Sequence, residues 1–237
     1  MDNDVKVEYH KTLNPKLWDG YNLKPEVRKQ LLAITNSFLT FCNLPIKVDD
    51  ILLVGSSANF NWTGASDIDL MIKTDFADSS DPSLVKEFFA TKKQVFKRDH
   101  DIKIYGMPVE ITVSDINGSD GEFSVANNLW LTVPQYHEPE FDRDKVKTLA
   151  DKWKNRIISV VRDNDASVKD MVKVKKSIKK ARAKAVETED PADKDEFHPM
   201  NLAYKHLRKK GYLDMLKKAI KRRTVDDLSL KRQYNHH

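Results

Sequence analysis

The sequence has only one cysteine, Cys42, among 237 residues, which excludes an intramolecular disulfide and a zinc site built from cysteine and histidine. Cys42 lies in the apolar segment SFLTFCNL, which predicts a buried structural thiol rather than a nucleophile. No uninterrupted apolar run approaches the length of a membrane span. The polar start MDNDVKVEYHK also lacks the basic and then apolar layout of a secretory signal. We therefore expect a globular cytoplasmic protein with no membrane partner.

Positive charge is unevenly distributed along the chain. The net charge is +5, and most of the surplus lies in KVKKSIKKARAKA and KHLRKKGYLDMLKKAIKRR, on either side of the acidic stretch ETEDPADKDE. This pattern is typical either of a surface that contacts RNA phosphates or of helix faces that are simply solvated. Tyr204 and Tyr212 could stack on a base, although Tyr204, with Leu207 and Leu213, also suits the core face of a helix, which is the favoured role. The candidate RNA-binding residues are Lys173, Lys175, Lys176, Lys179, Arg182, Arg208, Lys209 and Lys210.

Hydrophobic periodicity predicts an α+β fold. A helix is expected from about Pro25 to Asn43, then strands in DDILLVG and DIDLMIKTDF, and then a helix in SLVKEFFATKKQVFK. HDIKIYG and PVEITVSD, separated by Gly106-Met107-Pro108, predict a hairpin. The pattern is helical from Asp142 onward. We therefore expect a mixed sheet of three or four strands, flanked by helices, in a domain over residues 1–141, and a basic helical domain over 142–237.

Alternation along the predicted strands brings carboxylates together. In DIDLMI, Asp67 and Asp69 share one face, about 6–7 Å apart at their Cα atoms, while Ile68 and its apolar neighbours face the core. Such a pair suits a hard cation. The same rule applied to PVEITVSD leaves Glu110 on a face opposite the apolar residues, as a candidate third ligand. Two divalent cations held in this way would activate an attacking hydroxyl and steady a phosphoryl transfer.

Gly55 and Ser56 follow the first predicted strand. A residue without a Cβ lets the backbone approach a ligand closely, and a neighbouring hydroxyl can donate to a phosphate oxygen. If a helix begins in SSANF, its first N–H groups would favour the phosphates of a triphosphate. The two strands and the loop between them therefore predict a phosphate site next to a metal site.

These residues carry a family resemblance. Gly55-Ser56, a polar loop and then Gly64-Ala65-Ser66-Asp67-Ile68-Asp69 resemble the signature of the DNA polymerase β-like nucleotidyltransferase superfamily. Glu110 in GMPVEITV resembles the third catalytic carboxylate, which is more often Asp and therefore one methylene shorter. Including LNPKLWDGYNLKPEVRKQLL, HDIKIYGMPVE and NNLWL, the wider chain resembles nucleotidyltransferases encoded by tailed bacteriophages.

The resemblance implies a nucleotidyltransferase-type sheet and a two-metal mechanism. Asp67, Asp69 and Glu110 would then be catalytic residues and ligands of two Mg²⁺ or Mn²⁺ ions. Gly55, Ser56 and Ser66 would bind the phosphates of an NTP such as ATP. The implied reaction transfers an NMP to an acceptor hydroxyl and releases pyrophosphate, in the host cytoplasm if a phage encodes the chain.

The resemblance leaves the acceptor open. The basic helical half favours RNA, including a tRNA end, through sequence-independent phosphate contacts. A protein acceptor, an aminoglycoside-like small molecule and a second nucleotide in cyclic-nucleotide synthesis are alternatives. A non-catalytic module that binds RNA or a protein is a further alternative, although the presence of all three carboxylates argues against it.

Simpler structural roles remain open for several residues. The aspartate pair could be a polar strand end, and Glu110 could pair with Lys103 across the hairpin. Asn59, Asn61 and Trp62 could contact base or ribose, or could only shape and anchor their loop. Histidines are assigned structural or surface roles because a two-metal mechanism needs no histidine base; His236 and His237, at the end of the sequence, are set aside.

Overall fold

The structure is a computed structural model and describes residues 9–64, 66–77, 80–115, 121–186 and 197–229. These residues form two compact units, one within Glu8–Glu138 and one within Pro139–His237. The domains expected from the sequence divide the chain near the same place. Within the described ranges, no helix has both the length and the apolar character required to cross a membrane. The acidic stretch 187–196 and the final histidine pair lie outside the described residues.

The first unit contains the strands and two helices. The strands are β1 (Trp18–Asp19), β2 (Asn22–Leu23), β3 (Asp50–Val54), β4 (Ile68–Lys73), β5 (Lys103–Ile104), β6 (Met107–Ser114), β7 (Glu122–Ser124) and β8 (Leu129–Thr132), and the helices are α1 (Pro25–Cys42) and α2 (Pro82–Asp99). β1 and β2 form a small ribbon, and the others form a sheet in the order β5-β6-β4-β3-β7-β8. β4 and β6 are parallel, whereas the other neighbouring strands are antiparallel. The predicted mixed sheet flanked by helices is confirmed.

Local sequence signals explain where the two helices of this unit begin and end. Each starts with proline in its first turn, where the missing N–H costs no hydrogen bond. The Asp81 side chain accepts the Leu84 N–H and caps α2. Asn43 ends α1 in the left-handed conformation, with φ of 49°, and its N–H reaches the carbonyls of Leu39 and Thr40. The helix predicted from Pro25 to Asn43 is therefore confirmed to within one residue.

Alternation in β4 separates the core from the polar face, as predicted. Ile68, Leu70 and Ile72 are at most 1% exposed, and they share a core with apolar residues of α1 and α2. Asp69 lies between them in sequence and therefore on the other face of the sheet. Cys42 is buried in the same core, and this burial raises the pKa of its thiol. The thiol is thus a packing group, in agreement with the sequence.

Two details of the sheet differ from the prediction. Within the described residues the sheet has six strands rather than three or four. The sequence did not indicate β7, which is only three residues long, or β8, which exposes Leu129 and Leu131 and so shows no alternation. The hairpin turn is Tyr105-Gly106, with φ of 50° and 80°, and Met107 and Pro108 already belong to β6. Positive φ at both turn residues is the two-residue geometry that matches the strand twist.

The second unit is helical, as the pattern from Asp142 predicts. It contains α3 (Arg143–Arg162), α4 (Val168–Val186), α5 (Pro199–Lys209) and α6 (Tyr212–Leu228). The Asp142 side chain caps α3 by accepting the Lys145 N–H. Gly211, with φ of 77°, separates α5 from α6. Buried Ile157, Ile178 and Leu207 pack together at the centre of this unit, so it has a core of its own.

Candidate active site

Three carboxylates meet on the polar face of the sheet. Asp67 directly precedes β4, and Asp69 is the direct partner of Glu110 in the parallel pairing of β4 with β6. One ligand oxygen from each residue lies within 4.8 Å of those of the other two, and all three residues are partly buried. Clustered carboxylate oxygens are the ligands that hard divalent cations prefer. The cluster predicted from alternation is thus present and can hold a metal ion.

Glu110 has cationic neighbours on α2. Its Oε1 lies 3.0 Å from the Lys93 Nζ, and its Oε2 lies 3.8 Å from the Lys97 Nζ. Burial opposes ionisation and by itself would raise the Glu110 pKa, but the Lys93 hydrogen bond and the two positive charges outweigh it, so the pKa lies below its ordinary value. Lys103 instead pairs with Pro108 along the hairpin and with the Asp101 side chain. The alternative interpretation, in which Glu110 pairs with Lys103 across the hairpin, is therefore wrong.

Gly55 stands where the carboxylates meet the end of β3. Its φ is +68°, and a Cβ at this position would overlap Oδ2 of Asp69 and lie 3.2 Å from its Cγ. The left-handed backbone and the close carboxylate both require glycine here. The sequence predicts a close approach at Gly55, and in the structure the group that approaches it is the Asp69 carboxylate.

The residues from Gly55 to Ala58 form one 3₁₀ turn rather than a longer helix. Within it, Ser57 is fully buried and its Oγ donates to the Val54 carbonyl at 3.2 Å. The same Oγ accepts the Asp69 N–H at 3.3 Å. Ser57 therefore joins the turn after β3 to the backbone of a metal-ligand candidate.

The predicted phosphate-binding serines are close together. The Ser56 hydroxyl donates to the Ser66 Oγ at 3.1 Å, and the Ser66 Oγ also accepts the Thr63 N–H at 2.9 Å. Ser66 is 5% exposed, whereas Ser56 is partly exposed. Gly55, Ser56 and Ser66 thus line the start and the end of one loop beside the carboxylates.

The polar loop is anchored to the residues that precede β1. The Trp62 ring stacks on His10 with centroids 3.6 Å apart, and its indole N–H donates to the Thr12 carbonyl at 2.9 Å. Asn59 is 6% exposed, and its side-chain oxygen accepts the Phe60 N–H. These contacts favour the anchoring interpretation of Asn59 and Trp62 over contact with a base.

The candidate RNA-binding residues all lie in the helical unit, and Arg182 and Lys173 are among those that contact neighbouring side chains. Arg182 donates to the Asn201 Oδ1 at 2.9 Å and lies over the Tyr204 ring, 4.5 Å from its centroid, so it contributes to helix packing. Lys173 pairs with Asp170 at 3.4 Å. Lys175 is partly buried, whereas the remaining residues are exposed: Lys176, Lys179, Arg208, Lys209 and Lys210. Tyr204 and Tyr212 both pack against the helical core, as the spacing favours for Tyr204.

Sequence reasoning missed Ser57, Lys93 and Lys97. Ser57 was not singled out because the sequence Ser56-Ser57 does not indicate which of the two hydroxyls is buried. The lysines belong to an amphipathic helix whose polar face is normally assigned to solvent. Their proximity to Glu110 follows from the packing of α2 beside β6, which the linear spacing does not reveal.

Comparison of the chain with protein-family models, with curated proteins and with solved structures gives no match. The functional conclusion therefore depends on the residues and geometry of this site.

Proposed function

We propose that the chain is a metal-dependent nucleotidyltransferase of the DNA polymerase β-like type. It would transfer an NMP from an NTP to an acceptor hydroxyl on RNA and release pyrophosphate, acting in the cytoplasm, that of the host if a phage encodes it. The observation that carries this proposal is the meeting of Asp67, Asp69 and Glu110 within 4.8 Å of one another. Their position beside Gly55 and Ser56 gives a metal site and a phosphate site in one place.

Each residue has a role that its surroundings permit. Asp67, Asp69 and Glu110 would hold two Mg²⁺ or Mn²⁺ ions, which when bound lower the pKa of the acceptor hydroxyl and offset phosphate charge. Gly55 leaves room for the Asp69 carboxylate beside the turn that would hold the triphosphate. Ser56 and Ser66 would donate their hydroxyls to phosphate oxygens. In the structure the partly exposed Ser56 donates to the Ser66 Oγ instead, and a bound phosphate would take the place of this contact.

RNA is the proposed acceptor because the helical unit presents exposed cations. Arg208, Lys209 and Lys210 lie together at the C-terminal end of α5, and Lys176 and Lys179 lie on α4. Single-stranded or structured RNA can be held by such phosphate contacts without base recognition. Cations near a helix C-terminus also interact favourably with the helix dipole, so Arg208 and Lys209 have a structural role that does not require RNA. The acceptor therefore has to be tested together with the chemistry.

The test is incorporation of each α-labelled NTP, with Mg²⁺ or Mn²⁺, into cell extract containing RNA and protein. The matched control is the Asp67→Asn/Asp69→Asn double variant, which keeps the shape of both side chains and removes both charges. We expect label that ribonuclease removes and that falls to background in the variant. Label removed by protease would replace RNA with a protein acceptor. Label that persists in the variant, or its absence from every fraction, would contradict the proposal.

A further inference from the structure

Two lysines of α2 converge on one carboxylate of the metal cluster. Lys93 and Lys97 lie one helical turn apart, and their Nζ atoms are 3.0 and 3.8 Å from the two oxygens of Glu110. The Lys93 side chain is 27% exposed and that of Glu110 is 30% exposed, so the contact is partly shielded from water. The Lys93 Nζ also donates to the Thr112 Oγ1 at 3.1 Å. The ammonium of Lys93 is thus held in place by two groups of β6.

Metal binding would change the surroundings of these lysines. If Glu110 ligates a cation, that cation offsets its negative charge. The electrostatic attraction between Glu110 and the ammonium groups of Lys93 and Lys97 then becomes much weaker. Thr112 is neutral and cannot replace it. The partly shielded ammonium of Lys93 would then be stabilised by a new anion, which the Lys97 ammonium could also reach from a side chain that is 58% exposed. Phosphate is the anion that a substrate of this site carries, and lysine binds it as a point charge.

The lysines lie on the opposite side of the cluster from Gly55 and the serines. The sheet order places β4 between β3 and β6, so Asp69 separates the turn after β3 from Glu110 and the lysines beyond it. In an in-line transfer the acceptor and the leaving pyrophosphate lie on opposite sides of the transferred phosphorus. With the triphosphate at Gly55 and Ser56, the lysines are on the side that the acceptor approaches.

We propose that Lys93 and Lys97 form a second phosphate site, which binds a phosphate group of the acceptor. This inference rests on the proposed function and narrows its substrate class. The acceptor would carry its own phosphate next to the reacting hydroxyl, as an RNA strand or a nucleotide does. A cationic aminoglycoside would meet two like charges at this position and is disfavoured.

The test measures binding of a fluorescein-labelled oligouridylate at fixed MgCl₂ over a range of KCl concentrations. The variants are Lys93→Met/Lys97→Met and Lys93→Arg/Lys97→Arg. The matched control is Lys86→Met/Lys103→Met, which removes two lysines of the same unit that pair with Asp115 and Asp101 instead. Loss of one single-strand phosphate contact should reduce the slope of log K against log salt by about 0.7 in the first variant. The arginine variant and the control should keep the wild-type slope.

An unchanged slope in Lys93→Met/Lys97→Met, or an equal reduction in the control, would overturn the inference and leave the lysines as counter-ions of Glu110 only. Competition by free UMP separates the two sources of phosphate. Strong competition assigns the site to a nucleotide acceptor, and weak competition assigns it to a strand.

Transfer assays separate this inference from the proposed function. We expect Lys93→Met/Lys97→Met to raise the KM for RNA at least tenfold and to leave the KM for NTP unchanged. A slope change without nucleotidyl transfer by the wild type would retain the phosphate site and reject the proposed function. Aspartate-dependent transfer to an aminoglycoside, undiminished in the lysine variant, would retain the chemistry and reject the phosphate site.

Discussion

A single glycine connects the backbone of this protein to its candidate metal site. Gly55 is in the left-handed region, and the space where its Cβ would stand is taken by the Asp69 carboxylate. Gly20 also has positive φ, at +58°, but has nothing within 4 Å of a Cβ position. A substitution at Gly20 therefore introduces backbone strain alone, whereas the same substitution at Gly55 also introduces a clash with the Asp69 carboxylate.

Gly55→Ala should destabilise the fold and also weaken metal binding. Backbone strain costs about 1–2 kcal/mol, and displacement of Asp69 should reduce Mn²⁺ affinity at least tenfold. Urea unfolding and Mn²⁺ titration by electron paramagnetic resonance measure the two effects. The control Gly20→Ala should show the strain alone. Equal Mn²⁺ affinity in both variants would mean that Asp69 does not bind the ion.

At the scale of the element, strand alternation was the most informative sequence signal. It correctly predicted that Ile68, Leu70 and Ile72 face the core and that Asp69 and Glu110 share the opposite face. Residue spacing fixes the alternation within each strand, whereas the meeting of Asp69 with Glu110 also depends on the register of β4 with β6. β7 and the edge strand β8 were not predicted because they are short and carry no alternation of burial. The α2 lysines escaped because their contact with Glu110 depends on how a helix packs beside a strand.

Ser56 and Ser57, adjacent in the 3₁₀ turn after β3, differ in burial and therefore in expected role. Ser57 is buried and accepts the partly buried Asp69 N–H, so Ser57→Ala removes that acceptor and should cost about 1–3 kcal/mol. Ser56 is partly exposed, so Ser56→Ala should lower NTP affinity and leave the free energy of unfolding nearly unchanged. Urea unfolding and titration with a fluorescent NTP analogue check the pair. Unchanged NTP affinity in Ser56→Ala, together with a loss of stability, would reject the proposed role of Ser56.

At the scale of the whole molecule, the described residues contain separate cores in the two units. The change to a helical pattern near Asp142 made this division predictable, because the hydrophobic period alters there from two residues to that of a helix. The sequence did not predict which basic residues contact other side chains within the helical unit. Arg182, expected to contact RNA, holds Asn201 and Tyr204 in the helical unit.

Separate cores predict separable effects of core substitutions. Ile157 is fully buried in the helical unit, so Ile157→Ala should destabilise that unit by about 2–5 kcal/mol. Mn²⁺ affinity, measured below the thermal transition, should remain that of the wild type. Leu70→Ala is the matched change beside Asp69 and should lower Mn²⁺ affinity. Loss of Mn²⁺ binding in Ile157→Ala would show that the metal site depends on the helical unit.

The ion pairs of Glu110 with Lys93 and Lys97 bear on how the protein matures. Clustered carboxylates repel one another, and many small metal-binding domains remain unfolded until their ion arrives. Here the polypeptide supplies its own counter-charge to one of the three acidic groups. We therefore expect a newly synthesised chain to complete its fold in a cell depleted of divalent cations. An ion held by the proposed site would then enter as its last component and would not be the nucleus of folding.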